Sequence, residues 1–423
     1  MLLLQTKCGT AYEIITPDGK SNDVSDVKPV AGKIDLAIVK FASNRQYRIA
    51  TIGNSDKIAT GNQVYVYGFP IATTTTKRRL GQFTEGKIAA NASKALPGGY
   101  TLQYDNQTQK GMEGSPVLNE NAELIGIHTK NDTLEQQVPE NREVAILTTT
   151  QNYAIPINTF VQQSKTVGIA LDISAPTPTV VTTNPKADDF YIQAGYKYKK
   201  GDFKGAIADY TEAIRLNPQL VNAYTDRGVV RAELGDNQGA IADYNQALRI
   251  DSIYYAAYHN RGYARAELGD KQGAIDDFNQ ALRLNPNLAE TYNARGRTRA
   301  DLGDKQGALD DYNQTLRITP NYFRAYSNRG IVRFQLGDKQ GGIEDFNQAL
   351  RINPKYAKGY YNRGYAFFQL QDWQKAIADF NKELQINPKH ADAYVYRSIA
   401  RLELKVDTPL AKAEGILGSQ TRR

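Results

Sequence analysis

The stretch AYHNRGYARAELGDKQGAIDDFNQALRLNP, residues 257–286, decides how most of the chain folds. It recurs, with small changes, on a 34-residue grid. Pro218, Pro286, Pro320, Pro354 and Pro388 share one node of the grid, and Ser252 fills the remaining place. Gly228, Gly262, Gly296, Gly330 and Gly364 share a second node, and Asp202, Asp236, Asp270, Asp304, Asp338 and Asp372 a third. A fixed period of this length predicts a solenoid of helix pairs. One such pair cannot bury its apolar face alone, so it stacks on its neighbours.

Each unit carries its own punctuation. The step Leu268-Gly269-Asp270 ends a first helix: glycine suits the left-handed position after the last turn, and the aspartate can cap the amides that open the second helix. Asn285-Pro286 ends the second helix, because proline disfavours helical geometry in the residue before it. Ala274, Ile275, Phe278, Ala281 and Leu282 fall on one apolar helix face. On the first helix the large Tyr258 and the small Gly262 let neighbouring helices approach closely.

Tyr258, Gly262, Ala274, Phe278, Ala281 and Pro286 together resemble the signature of the tetratricopeptide repeat (TPR). Six units match it between residues 187 and 388, and a half unit follows to residue 405. The resemblance implies a scaffold that binds proteins or extended peptide segments on the concave face formed by the first helices. Candidate ligand contacts are the positions there that vary between units. They are Asn222, Asp226 and Val229; His259, Asn260 and Tyr263; Asn293 and Arg297; Arg324 and Asn328; and Tyr361, Asn362 and Tyr365. Their polar and aromatic mix suits an extended peptide. It lacks the evenly placed lysines and asparagines that grip a C-terminal carboxylate in chaperone-binding relatives.

Two ladders recur in every unit. Arg227, Arg261, Arg295, Arg329, Arg363 and Arg397 occupy one position, each 18 residues after Asp209, Asp243, Asp277, Asp311, Asp345 or Asp379. A residue required in every unit reads as architecture. The expectation is an ion pair from the second helix of one unit to the first helix of the next. The competing reading is a ladder of ligand-binding arginines.

Residues 1–165 have a different texture. YEII (12–15), LAIVKF (36–41), VYVY (64–67), TLQY (101–104) and LIGIH (124–128) are short apolar or β-branched runs between turn clusters such as Pro17-Asp18-Gly19 and Asn119-Glu120-Asn121. Such spacing predicts an antiparallel sandwich or barrel. APTPTVVTTNP (175–185), inside a segment 166–186, reads as an extended linker. Residues 406–423 leave the repeat pattern and are expected to fray. The overall expectation is a multidomain chain: an all-β part at 1–165, a linker, and an all-α array at 187–405.

IDLAIVKF (34–41) resembles the strand that carries the triad aspartate of trypsin-like serine peptidases. YDNQTQKGMEGSPVLNENAELIGIH (104–128) is similar to the nucleophile segment of glutamyl endopeptidases, usually G-x-S-G-S-P-V and then a strand ending G-I-H. AIPIN (154–158) fits the last strand and final helix of that family. The resemblance implies part of a double β-barrel in which Asp35 matches the triad aspartate and His128 lines the specificity pocket. At the nucleophile position, however, the chain has Glu113, and Ser115 matches the second, non-catalytic serine. The three histidines, His128, His259 and His390, all follow Asp35, whereas the triad histidine should precede it. A serine acts on an acyl group only with an imidazole to take its proton and amides to hold the oxyanion. Glu113 has no hydroxyl to offer; its expected role is an internal anion locking its loop beside those amides.

Composition narrows the rest. The net charge of +7 arises from 52 basic and 45 acidic residues, and no basic run interleaves with aromatics. That argues against a nucleic-acid partner. The one cysteine, Cys8, excludes an intrachain disulfide. No metal and no cofactor are expected. The apolar start MLLL gives way at once to QTK, too short for a membrane span or a signal-peptide core. The chain as written is expected in the cytoplasm, with longer relatives exported. Because strands of the first barrel are missing, open edges are expected to favour self-association. Two functions follow: a protein-interaction scaffold joined to a catalytically inactive peptidase-like domain, or an active glutamyl-type endopeptidase whose repeats recruit substrates.

Overall fold

The computed structural model describes residues 3–7, 11–15, 21–29, 37–41, 51–68, 82–93, 95–96, 100–106, 108, 112–132, 151–164 and 186–406. Asp35, Cys8, Gly111, the stretch 175–185 and the tail beyond residue 406 lie outside them. The chain divides into two compact units. One holds Met1–Gln136 and Thr148–Ser252; the other holds Gln137–Leu147 and Ile253–Arg423.

The first unit begins with an antiparallel sheet in the order β1 (Leu3–Lys7), β2 (Ala11–Ile15), β3 (Ser21–Pro29) and β4 (Ala37–Phe41). The next six strands close a barrel in the order β10-β7-β6-β5-β8-β9. They are β5 (Gln63–Gly68), β6 (Gln82–Asn91), β7 (Leu102–Tyr104), β8 (Pro116–Asn119), β9 (Leu124–Asp132) and β10 (Gln151–Pro156), and α1 (Ile157–Ser164) follows. Val64 and Val66 alternate into a core with Ile88, Leu102, Tyr104, Met112, Val117, Ile125 and Ala154, as the two-residue period of a strand requires. Closure removes the edges of these six strands. Among the described residues the outer strands of an open sheet are β1 and β4.

The same unit continues into α2 (Ala187–Lys199), α3 (Phe203–Leu216), α4 (Val221–Glu233) and α5 (Asn237–Ile250). One hydrophobic cluster joins barrel and helices: Ala90, Ala92, Leu96, Tyr100, Tyr153 and Ile155 pack with Tyr191, Ile192, Ala206 and Tyr210. Carboxylates opening α2 reinforce the joint. Asp188 accepts from the Asn91 amide at 2.8 Å, and Asp189 accepts from both the amide and the hydroxyl of Ser93 at 2.6 Å. The Lys199 ammonium lies 4.7 Å from the centre of the Tyr153 ring. The first repeat therefore packs on the barrel through a second cluster, distinct from the barrel's own core.

The second unit holds α6 (Tyr255–Glu267), α7 (Lys271–Leu284), α8 (Ala289–Asp301), α9 (Lys305–Ile318), α10 (Phe323–Gln335), α11 (Lys339–Ile352), α12 (Ala357–Gln369), α13 (Trp373–Ile386) and α14 (Ala391–Val406). The punctuation works as the sequence suggests. Gly269 and Gly303 take φ of 88° and 90°, where residues with a side chain are strained. Asp270 and Asp304 then accept from the amides of Gly273 and Gly307 at 3.0 and 2.9 Å. A Cβ at Gly262 would stand 2.9 Å from the Phe278 ring, so the small residue sets the closeness of α6 to α7.

Candidate functional site

At the barrel's candidate site, Met112 is fully buried and Glu113-Gly114 form the tip of a turn. Gly114 has φ of 83°, and its amide donates to the His128 carbonyl at 2.6 Å. Ser115 returns its amide to the Met112 carbonyl at 3.1 Å, and the His128 amide donates to the Ser115 carbonyl at 2.8 Å. Backbone hydrogen bonds thus stitch the turn to β9. The Glu113 side chain is exposed. The expected internal anion is thus exposed at the turn rather than buried in it.

His128 is fully buried on β9, with Nδ1 2.6 Å from the Tyr104 hydroxyl. Burial holds that phenol protonated well above its ordinary range and lowers the His128 pKa to about 4. The imidazole is therefore neutral, its Nδ1 shares one hydrogen bond with the phenol, and Nε2 is its other nitrogen. That Nε2 and the Ser115 hydroxyl are both buried without a hydrogen-bond partner among the described residues. Such an imidazole is a poor base: its Nδ1 is engaged and its protonation is opposed.

In the repeats the candidate contacts divide by burial. Asp226, His259, Asn260 and Asn293 are buried; Asn222, Tyr263, Arg297, Arg324, Asn328, Tyr361, Asn362 and Tyr365 are partly exposed. Several polar members join consecutive first helices. His259 on α6 meets the Thr291 hydroxyl on α8 at 2.8 Å. Asn328 on α10 donates to Asn293 on α8 at 3.2 Å, and Asn362 on α12 donates to Ser327 on α10 at 3.0 Å. Arg297 pairs with Glu267 at 3.0 Å. The Tyr361 and Tyr365 rings stack at 6.4 Å, and Gln369 holds the Tyr365 hydroxyl at 2.9 Å. In the first unit Asp226 accepts from the Tyr191 hydroxyl at 2.7 Å, and burial pushes its pKa up to about 7. Val229 is buried behind it.

The arginine ladder is architectural, but its partner differs from the expected one. Arg261 sends Nε and Nη2 to Asp277, 16 residues later, at 2.9 and 2.6 Å. The equivalent forks are Arg227–Asp243, Arg295–Asp311, Arg329–Asp345 and Arg363–Asp379. The pair therefore closes one helix hairpin instead of linking two units. The link to the preceding unit falls to the third nitrogen: Arg295, Arg329, Arg363 and Arg397 donate Nη1 to Asn279, Asn313, Asn347 and Asn381 at 2.6, 2.7, 2.7 and 2.9 Å. The rigid, planar guanidinium serves two helices in this way, with a fixed fork to the aspartate that an ammonium does not offer. Asp209 is bonded instead to Lys197 at 2.7 Å.

Comparison with known proteins agrees with both halves. The trypsin-like peptidase domain family matches residues 5–127. The TPR repeat family matches residues 197–235, 230–269, 296–337 and 332–371, and the tetratricopeptide repeat family matches 255–288 and 357–390. The chain joins a trypsin-like peptidase domain to tetratricopeptide repeats. It is 35% identical over 109 residues to the glutamyl endopeptidase of Staphylococcus aureus (strain MW2), covering 23% of this chain and 29% of that protein. It is 28% identical over 123 residues to a probable periplasmic DegP-like serine endoprotease of Rhizobium meliloti (strain 1021), covering 29% and 23%. The chain thus spans less than a third of the length of either relative. Among solved structures, the APC/C hetero-tetramer Cut9–Hcn1 is 18% identical with a TM-score of 0.47, covering 51% of this chain and 42% of that one. Among the described residues no helix is long and apolar enough to cross a membrane.

Proposed function

We propose that the TPR array binds an extended protein segment and that the peptidase-like barrel performs no hydrolysis. The single observation that carries the second half is Glu113, a carboxylate at the position that matches the family's nucleophile, exposed on the turn before β8. A carboxylate cannot make the serine acyl-enzyme, and the nearby imidazole, His128, is neutral and bonded to Tyr104. Asp35 then has no triad to orient. The barrel's remaining role is structural: it shares a hydrophobic cluster with the first repeat and so supports the helices of its own unit.

The binding half rests on the partly exposed aromatic and basic side chains of the first helices, Tyr263, Arg324, Tyr361 and Tyr365 among them. These offer stacking and hydrogen bonding to a main chain laid across them. Panning a library of random dodecapeptides against the full chain is expected to enrich sequences whose affinity falls at least tenfold in Arg324→Ala or Tyr365→Ala. No enrichment, or affinity indifferent to both changes, would overturn the binding reading.

Hydrolysis is tested with a fluorogenic peptide that places glutamate before the scissile bond. The full chain is expected to show no turnover. Residual machinery without a complete triad accounts for at most about 10⁴-fold over water. Turnover beyond that level, lost in Asp35→Ala, would carry the alternative of an active endopeptidase fed by its repeats.

A further inference from the structure

One repeat position departs from its ladder. Ala213, Ala247, Ala281, Thr315 and Ala349 occupy it in the first five units, all fully buried. The sixth unit has Glu383 there, 1% exposed near the end of α13. Its Oε1 lies 2.8 Å from His390 Nδ1, and the imidazole packs 4.6 Å from the Tyr361 ring. Its Oε2 is buried with no hydrogen-bond partner among the described residues. An unmet buried acceptor is destabilising, more so where it is charged, and the alanine of the preceding unit, Ala349, avoids that cost. Burial raises the Glu383 pKa, while His390 and, less strongly, the Asn387 side chain oppose the rise.

Glu383 lines a pocket of about 500 Å³ with Tyr356, Lys358, Tyr361, Ile386, Asn387 and His390. The pocket opens between the start of α12, the end of α13 and the turn into α14. Its volume is within the range of ligand sites.

We propose that this pocket receives a lysine side chain of the extended partner, with the ammonium donating to Glu383 Oε2. The inference rests on the binding reading above and gives it a sequence preference. The unmet atom is an acceptor, so the occupant must bring a donor. Only one carboxylate oxygen is open, because His390 holds the other; that suits the point donor of an ammonium better than the two-pronged fork of a guanidinium. Tyr356, Ile386 and the Tyr361 face can cover the methylene stem. Lys358 sets the electrostatic limit: its own charge opposes a second cation, and burial lowers its pKa.

The probes are acetyl-Gly-Gly-Lys-Gly-Gly-amide and its norleucine twin, titrated against the full chain by ligand-observed NMR. The lysine peptide is expected to bind at least tenfold more tightly. Glu383→Ala, which restores the residue of the neighbouring units and so preserves the fold, is expected to erase that preference. Lys358→Met is expected to tighten binding of the lysine peptide several-fold. Equal binding of the twins, survival of the preference in Glu383→Ala, or weaker binding in Lys358→Met would each overturn the assignment. If the library peptides still depend on Arg324 while the twins do not differ, this pocket alone is refuted. Loss of all peptide binding removes the broader reading with it.

Discussion

Two kinds of buried carboxylate occupy the repeats. Asp277 and its equivalents recur in five hairpins, 2–5% exposed across Asp243, Asp277, Asp311, Asp345 and Asp379, and each receives the fork of an arginine 16 residues earlier. Asp226 and Glu383 are as deeply buried, but each stands once at its position and accepts from a neutral phenol or from a histidine. The recurring carboxylate is neutralised by the fold that contains it. The solitary ones stand outside that ladder, and burial raises the pKa of both.

The largest effect expected from this contrast is at the recurring class. Asp277 receives two guanidinium groups, Arg261 at 2.6 Å and Arg265 at 3.0 Å. Asp277→Ala leaves both without it, and breaking a buried pair from one side costs about 3–5 kcal/mol. Urea unfolding followed by circular dichroism is the check. A loss below about 1 kcal/mol, the value of a surface ion pair, would erase the distinction between the two classes.

Asp226 tests the other class through pH. Its folded pKa stands near 7 against an ordinary 3.8 because burial disfavours the charge. The folded state therefore holds a proton that the unfolded state releases between about pH 4 and pH 7, and stability falls as pH rises through that window. A displacement of this size is worth about 4 kcal/mol at its limit. Asp226→Asn is expected to match the parent near pH 4 and to exceed it by about 2–4 kcal/mol at pH 8. Parallel stability curves for the two proteins would mean that Asp226 is ionised at no cost.

A purely steric change calibrates both. A Cβ on Gly296 would stand 2.9 Å from the Tyr312 ring and 3.1 Å from Asp311 Cβ. Gly296→Ala is expected to cost about 1–3 kcal/mol by overpacking, with no dependence on pH between 4 and 8. A pH-dependent loss would show that hairpin closure and the Arg295–Asp311 fork are coupled.

Much of this was legible in the chain. The 34-residue step exposed the helix pairs, their caps and their turns because each is enforced by local chemistry. Glu113 was equally plain, since a motif with one altered letter announces the change. The arginine partner was not legible, for a reason intrinsic to repeats. Asp209 and Asp243 are themselves one period apart, so 18 residues back and 16 residues on from Arg227 name the same ladder. Only the hairpin selects the second. Nor could spacing reveal that Asp188 and Asp189, which read as ordinary first-turn acids, bind strand β6 and its continuation about 97 residues earlier. Burial had the same effect on the concave candidates: His259 and Asn293 look like surface polar residues until Thr291 and Asn328 are placed against them.

The smallest expected effect lies where the pattern lapses. Gly201, Gly235, Gly269, Gly303 and Gly337 end the first helices of five hairpins with φ between 78° and 95°. In the sixth, Gln371 takes that position with φ of 59°. A side chain there costs about 1–2 kcal/mol of backbone strain, partly offset because glycine loses more freedom on folding. Gln371→Gly is therefore expected to stabilise the protein by about 0.5–1 kcal/mol. Destabilisation instead would mean that the Gln371 side chain makes a contact worth more than the strain. The last hairpin would then hold two purposeful departures, Gln371 and Glu383, where the contrast drawn above assigns only one.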